Sequence, residues 1–256
     1  LGNSADKQLN IRMDCSQIYG ASYVTAESAS KKVQQFILSA TVSDDIVRFG
    51  LGWNDIATVD HNKSEISGSL SFKQNPRLIF SLDKAEILIN DTLWTAIPGN
   101  RIVMDTSYFE AHNFGFVNNN RQMVINGIVS HDPLNTLTLN MEGFNLSNLD
   151  VLTTDIGIDF DGFLNGSVSV SDIYEIPRIV SDITVSKFGF NLENLGDASI
   201  KSEWDSRNSL LAVDMQIIYV GNVSTHYPIK VLGNIYPEKE HDNFDLDIDV
   251  DTLKIK

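Results

Sequence analysis

Five histidines, one cysteine and a run of alternating aspartates are the residues of this chain whose types could do chemistry. His61, His112, His131, His226 and His241 stand far apart, and none lies at metal-ligand spacing from another. Each is read as a surface residue. His131 and Asp132 are adjacent, but Pro133 follows, which makes the pair the start of a turn rather than half of a catalytic dyad. Cys15 is the only cysteine, so an intramolecular disulfide and a cysteine-based metal cluster are both excluded. Without a His and Asn context it is read as a small buried residue. No G-x-S-x-G elbow, phosphate-cradling glycine loop or H-E-x-x-H occurs, and the chain is expected not to be an enzyme and to carry no metal or cofactor.

The aspartates lie in "FDLDIDVDTLKIK", where Phe244, Leu246, Ile248 and Val250 alternate with Asp245, Asp247, Asp249 and Asp251. A calcium loop bends so that its carboxylates converge. On an extended strand, side chains at i and i+2 stand ~6.6 Å apart and point in parallel. The ladder is therefore expected to keep an outer face wet and a sheet edge unattractive to stray strands. A net charge of -15 and a pI near 4.6 exclude nucleic acid as a partner, since that needs clustered Lys and Arg to release counterions. No window approaches the ~18 apolar residues of a membrane span, and no basic-then-apolar signal segment opens the chain. Because it begins at Leu1 and stops inside an alternating run, the chain is expected to be a piece of a longer protein.

The elements that must position any site are strands. Alternation of apolar and polar residues recurs at Leu78, Phe80 and Leu82, at Leu137, Leu139 and Met141, at Ile156, Ile158 and Phe160, and at Val213, Met215 and Ile217. Turn clusters separate these runs at Ile97 to Asn100, at Asn118 to Asn120 and around Pro177. Thr25 to Ala40 fits a helix and a strand equally well and is read as strand. At roughly a dozen residues per strand and turn, the chain supplies on the order of twenty strands, and open sheets seldom exceed ~10 without curling, splitting or flattening. A closed sandwich is one solution, and a long sheet folded along its length into a trough with an apolar floor is another.

One pattern recurs: apolar, any, Gly, any, apolar. It occurs at Ile66, Gly68 and Leu70, at Ile125, Gly127 and Val129, at Leu164, Gly166 and Val168, and at Val231, Gly233 and Ile235. Glycine weakens a strand interior, and there it marks a bend, a bulge or the close approach of something else. Two explanations remain open: these glycines curve the sheet and leave room for a ligand chain, or they let side chains of a facing wall interdigitate in a dry core.

The run "LWTAIPGNRIVMD…FEAHNFGFVNNNRQMVINGIVSHDPLNTLTLNMEGFNLSNLD", followed by "GFLNGSVSVSDIYEIPRIVSDITVSKFGFNLENLGDASIKSEWDSRNSLLAVDMQI", resembles the C-terminal half of the TamB family of translocation and assembly module proteins, in its Bacteroidetes-like form. The resemblance rests on Trp94 with Ile97, the "INGIVSHDP" strand, "FNLSNLD", "LNGSVSVSD" with Pro177 after it, and "LGDASIKSEWD". It covers about Arg48 to Lys256, with residues 1–47 matched only loosely. It implies an all-β fold of one continuous segment, 1–256: an elongated, curled antiparallel-type sheet, the β-taco, with an apolar inner groove. It further implies an AsmA-like periplasmic protein of a Gram-negative bacterium, anchored in the inner membrane by an N-terminal helix not seen here. An Omp85-class outer-membrane barrel would be its partner in outer-membrane biogenesis and protein secretion, and its cargo would be phospholipid moving between the membranes. The family brings no catalytic residues.

The residue pattern and the resemblance together make lipid transport along a groove the leading expectation. A trough hides acyl chains on its floor and leaves headgroups in water, so lipid moves without bond chemistry. The candidate wall comprises the four glycine motifs together with Met123, Leu137, Leu139, Val213 and Met215. The rival is an extracellular β-solenoid or sandwich for glycan binding or adhesion. That reading wants an exposed aromatic platform, and Trp53, Trp94 and Trp204 are scattered in sequence.

Overall fold

The computed structural model of the chain describes residues 8–19, 32–55, 63–72, 77–89, 92–153, 157–221, 225–239 and 241–251. Sixteen strands among these residues form one antiparallel sheet, essentially in chain order. Fewer strands are found than the sequence suggests, because most run to 10–13 residues before their turns. Ile156 lies outside the described residues, and no strand forms at Ile158: a 3-10 turn at Leu146–Leu149 and one helical turn at Asp150–Thr153 precede a strand that starts at Phe160. The ambiguous Thr25 to Ala40 stretch is strand from residue 32 onward, and residues 25–31 lie outside the described set. The chain divides into two compact units, Leu1–Asn118 and Asn119–Lys256.

The first unit contains β1 (Gln8–Tyr19), β2 (Lys32–Ser43), β3 (Ile46–Asp55), β4 (Lys63–Phe72), β5 (Leu78–Ile89), β6 (Thr92–Ala96), β7 (Arg101–Met104) and β8 (Phe109–Asn118). Residues directly opposite in an antiparallel pair share a face. Register therefore aligns Leu9, Val42, Val47, Leu70 and Phe80 on one face, and Asn10, Thr41, Arg48, Ser69 and Ser81 on the other. Cys15 sits on β1 opposite Phe36 and is half-buried rather than buried.

One strand of this unit is interrupted. β5 pairs with β6 along Glu86 to Ile89 and with β7 along Leu78 to Phe80, and both partners continue onto β8. The turn at Ile97 to Asn100 opens the gap between them, where the Asn100 side chain substitutes for the missing backbone. Its Oδ1 accepts from the Leu82 N–H (2.8 Å), and its amide nitrogen donates to the Leu82 carbonyl (3.0 Å) and the Ile97 carbonyl (2.7 Å). Asn100 is 4% exposed, and nearby Leu82, Ala85, Trp94, Ile102 and Ala111 are buried. A buried amide persists only with such partners.

The second unit contains β9 (Arg121–Val129), β10 (Thr136–Asn145), β11 (Phe160–Ser171), β12 (Arg178–Phe190), β13 (Glu193–Asp205), β14 (Leu210–Val220), β15 (Thr225–Ile235) and β16 (Phe244–Val250). Each strand pairs antiparallel with the next. Between β12 and β13 the turn is Asn191-Leu192, both at positive φ (48° and 68°), the combination of a two-residue type I′ hairpin whose twist suits the flanking strands. The core of this unit gathers Leu146, Val185, Ala198 and Ile217.

Candidate functional site

The second unit's registers sort its residues into rows that cross the sheet. One row runs Met123, Met141, Gly166, Ile183, Ile200, Met215, Val231, Ile248. The next runs Ile125, Leu139, Val168, Ser181, Ser202, Val213, Gly233, Leu246, and its two serines answer each other, Oγ to Oγ at 2.9 Å. Gly127 and Leu137 continue the face with Val170, and Leu211, Ile235 and Phe244 do so across β14 to β16. Two positions the other way lie Leu164, Val185, Ala198, Ile217 and Ile229. Alternation in sequence thus becomes, through register, one apolar face. On the opposite face Asn140, Ser167, Asp182, Lys201, Asp214, Leu232 and Asp247 form a single row.

Cover on the apolar face is uneven. The Leu164-to-Ile229 row is roofed by the turn at Leu146–Leu149, and there Val185, Ala198 and Ile217 are buried. In the two rows beside it most side chains are only half-buried, including Ile125, Leu139, Val168, Val213, Met215 and Val231, whereas Met141 and Ser202 are buried. On β16 the same face opens further, with Phe244 and Ile248 at 61% and 60% exposed. Val129 ends β9 and is buried beyond the last β9–β10 pair. In the first unit Ile66, Gly68 and Leu70 belong to corresponding rows, beside Leu51, Phe49 and Val47. Trp94, one of the three tryptophans a glycan-binding platform would draw on, is buried.

What approaches the repeated glycines is the neighbouring strand. A Cβ on Gly68 would fall onto the Ser81 carbonyl oxygen, on Gly127 onto that of Thr136, on Gly166 onto that of Asp182, and on Gly233 onto that of Asp245. In each case that carbonyl belongs to the residue just before the glycine's register partner: Leu82, Leu137, Ile183 and Leu246. One local geometry is thus repeated, in which the position a side chain would occupy points into the adjacent strand instead of standing off the apolar face. Close strand approach explains the glycines without a ligand and without a facing wall. Gly196 repeats it against the Ile218 carbonyl; the sequence pattern missed it because Asn194 replaces the apolar residue before it.

Charge lies away from these rows. Lys84 bridges Glu65 and Glu86, each at 3.3 Å, which raises the Lys84 pKa. Asp105 is held below the usual carboxylate range, chiefly by the Ser107 backbone N–H, with Arg77 assisting. Glu110 is held down by the Tyr108 hydroxyl and Arg101. Asp150 moves the other way: burial raises its pKa and nearby Asp159 adds to the shift, although the Phe160 N–H opposes it. These are ordinary structural pairs, and none assembles a nucleophile with a base. Compared with protein-family models, with curated proteins and with solved structures, the chain matches none.

Proposed function

We propose that this chain is a non-enzymatic, TamB-like segment of a cell-envelope protein that carries phospholipid acyl chains along the apolar face of its sheet. One observation carries the proposal: cross-strand rows of mainly apolar residues run from β9 to β16, and most of their side chains stay half-buried or exposed where a dry core would bury them. Each acyl methylene removed from water is worth about 0.8 kcal/mol. Met, Ile, Leu and Val fill most positions of these rows, broken by Gly166, Gly233 and the Ser181–Ser202 pair, so that energy changes modestly as a chain slides. The polar opposite face keeps the sheet in water. A groove enclosing the rows, a periplasmic location between inner and outer membranes, and an Omp85-class barrel partner with a role in outer-membrane protein assembly belong to the same proposal.

The test is native mass spectrometry of the protein purified from a Gram-negative host, with organic extraction of what co-purifies. Phospholipid is expected on the wild type. It should be lost in the double variant Val213→Lys with Val231→Lys and retained in Leu232→Asn, which changes the polar face. A folded wild type that carries no lipid, and takes none up from added vesicles, refutes the proposal.

A further inference from the structure

Among the described residues β16 is the last strand of the sheet and pairs with β15 alone. Two bonds at its ends fix the direction of its backbone groups. The Tyr236 N–H donates to the Asn243 carbonyl at 2.8 Å, and the Asp251 N–H donates to the Pro228 carbonyl at 3.1 Å. In an antiparallel strand the N–H and C=O of one residue point to the same side, and those of the next residue point to the other. The β15–β16 register runs without a shift, so Asp245, Asp247 and Asp249 turn their backbone towards β15. Phe244, Leu246, Ile248 and Val250 turn theirs outward, along an edge on which no described strand pairs. The same residues carry the apolar side chains, and those of Phe244, Ile248 and Val250 are exposed. An open strand edge of this kind is a template for a further extended segment.

Charge selects the segment. On the polar face of this unit Lys201 stands opposite Asp182 on one side and Asp214 on the other, and Lys230 stands opposite Asp249. Asp245 and Asp247 have no such counterpart, since their register partners are Asn234 and Leu232. A basic residue set opposite each of them gains a cross-strand pair, and an acidic one meets repulsion. A second copy of the chain supplies no match. Two β16 strands paired antiparallel would set Asp247 against Asp247 and Asp245 against Asp249, and β1 would bring Arg12 together with Asp14, to which Arg12 is already bridged at 2.9 Å. We infer that β16 is a docking edge for an extended segment of a partner protein in which apolar residues alternate with Lys or Arg. Its basic side chains lie opposite Asp245 and Asp247, and its apolar ones extend the face of Leu246 and Ile248. The carboxylates that turn away acidic strands are the ones that admit it. The inference goes beyond the lipid-carrying reading and stands without it, because the segment takes the edge of the sheet and acyl chains take its face.

The test titrates the protein with two blocked peptides of about eight residues, a strand's length, one alternating valine with lysine and the other valine with glutamate. Binding and amide exchange are read by NMR. In about 20 mM salt the lysine peptide should bind about tenfold more tightly, which is ~1.4 kcal/mol and the size of two cross-strand charge pairs gained in one peptide and opposed in the other. It should protect the outward amides of Leu246 and Ile248, and the preference should shrink in about 0.5 M salt. Asp245→Asn with Asp247→Asn should bring the two peptides within about twofold. Ile248→Pro removes an outward N–H at an edge position that tolerates proline. It should abolish binding of the lysine peptide while the amides of Leu232 and Asn234, which face β16, exchange as in wild type. Binding of neither peptide, or equal binding of both to wild type, overturns the docking edge. Lysine-peptide binding that survives Ile248→Pro overturns it as well, since charge without strand pairing would then suffice. Self-association of the wild type that Ile248→Pro abolishes gives the edge to a second copy and overturns the basic partner.

Discussion

Replacing Asn100 by alanine removes the side chain that stands in for a strand between β6 and β7. The Leu82 N–H and carbonyl then lose partners at 2.8 and 3.0 Å in a buried setting, and the Ile97 carbonyl loses one at 2.7 Å in a half-buried setting. A buried polar group left unsatisfied costs ~1–3 kcal/mol. Two such groups, with water able to reach the third, give about 3 kcal/mol, or roughly a hundredfold in a local equilibrium. The assay is amide hydrogen exchange read at Leu82, alongside urea unfolding of the whole chain. Exchange at Leu82 is expected to accelerate about a hundredfold in Asn100→Ala. Asn100→Asp should fare no better, because it keeps an acceptor for the Leu82 N–H but sets a carboxylate against two carbonyl oxygens. Asn120→Ala, in an exposed turn, is the control and should stay within ~0.5 kcal/mol of wild type. An Asn100→Ala protein whose Leu82 amide exchanges within about threefold of wild type would falsify the idea that this side chain completes the sheet.

Other outcomes follow from the glycines and the shifted carboxylates. Gly166→Ala places a Cβ against the Asp182 carbonyl at φ +133°, a backbone region that costs a side chain ~1–3 kcal/mol before the clash is counted; a Tm unchanged by this substitution would show that β11 and β12 do not approach as described. Because the folded-state pKa of Asp150 is raised, its contribution to stability falls as pH rises through that pKa, where the native chain must give up a proton held against burial and Asp159. Asp150→Asn keeps the acceptor for Phe160 and removes the charge. Its Tm should exceed that of wild type at pH 7, and the difference should shrink as pH falls below the raised pKa; equal Tm values at both ends of that range refute the assignment. Glu110 shifts downward, so the stability it contributes is present above its unfolded pKa and is lost on acidification through its folded one; thermal melts of Glu110→Gln against wild type should converge at low pH and diverge at neutral pH.

The sequence by itself determined that the chain is built of strands and which two faces most of them present, though not their number or the break before Phe160. Period-two alternation is a local property: once a segment such as Leu137 to Met141 is extended, its side chains must point alternately to opposite sides, and Thr138 and Asn140 fall on the side away from Leu137, Leu139 and Met141. Polar turn residues at Asn119 and Asn120 were legible for the same reason. The glycine motif was legible as a signal and not as a cause. Its explanation needed register, because the carbonyl of Asp182 is brought to Gly166 by the pairing of β11 with β12, and no spacing within either strand encodes that. Asn100 carried no signal at all: a turn asparagine is ordinary, and only the interruption between β6 and β7 opposite Leu82 makes its amide part of a sheet. The outward backbone of Phe244, Leu246, Ile248 and Val250 is likewise tertiary, since the pairing of β15 with β16 decides which residues turn away. Periodicity fixes which way a side chain points; pairing alone decides which residues it meets.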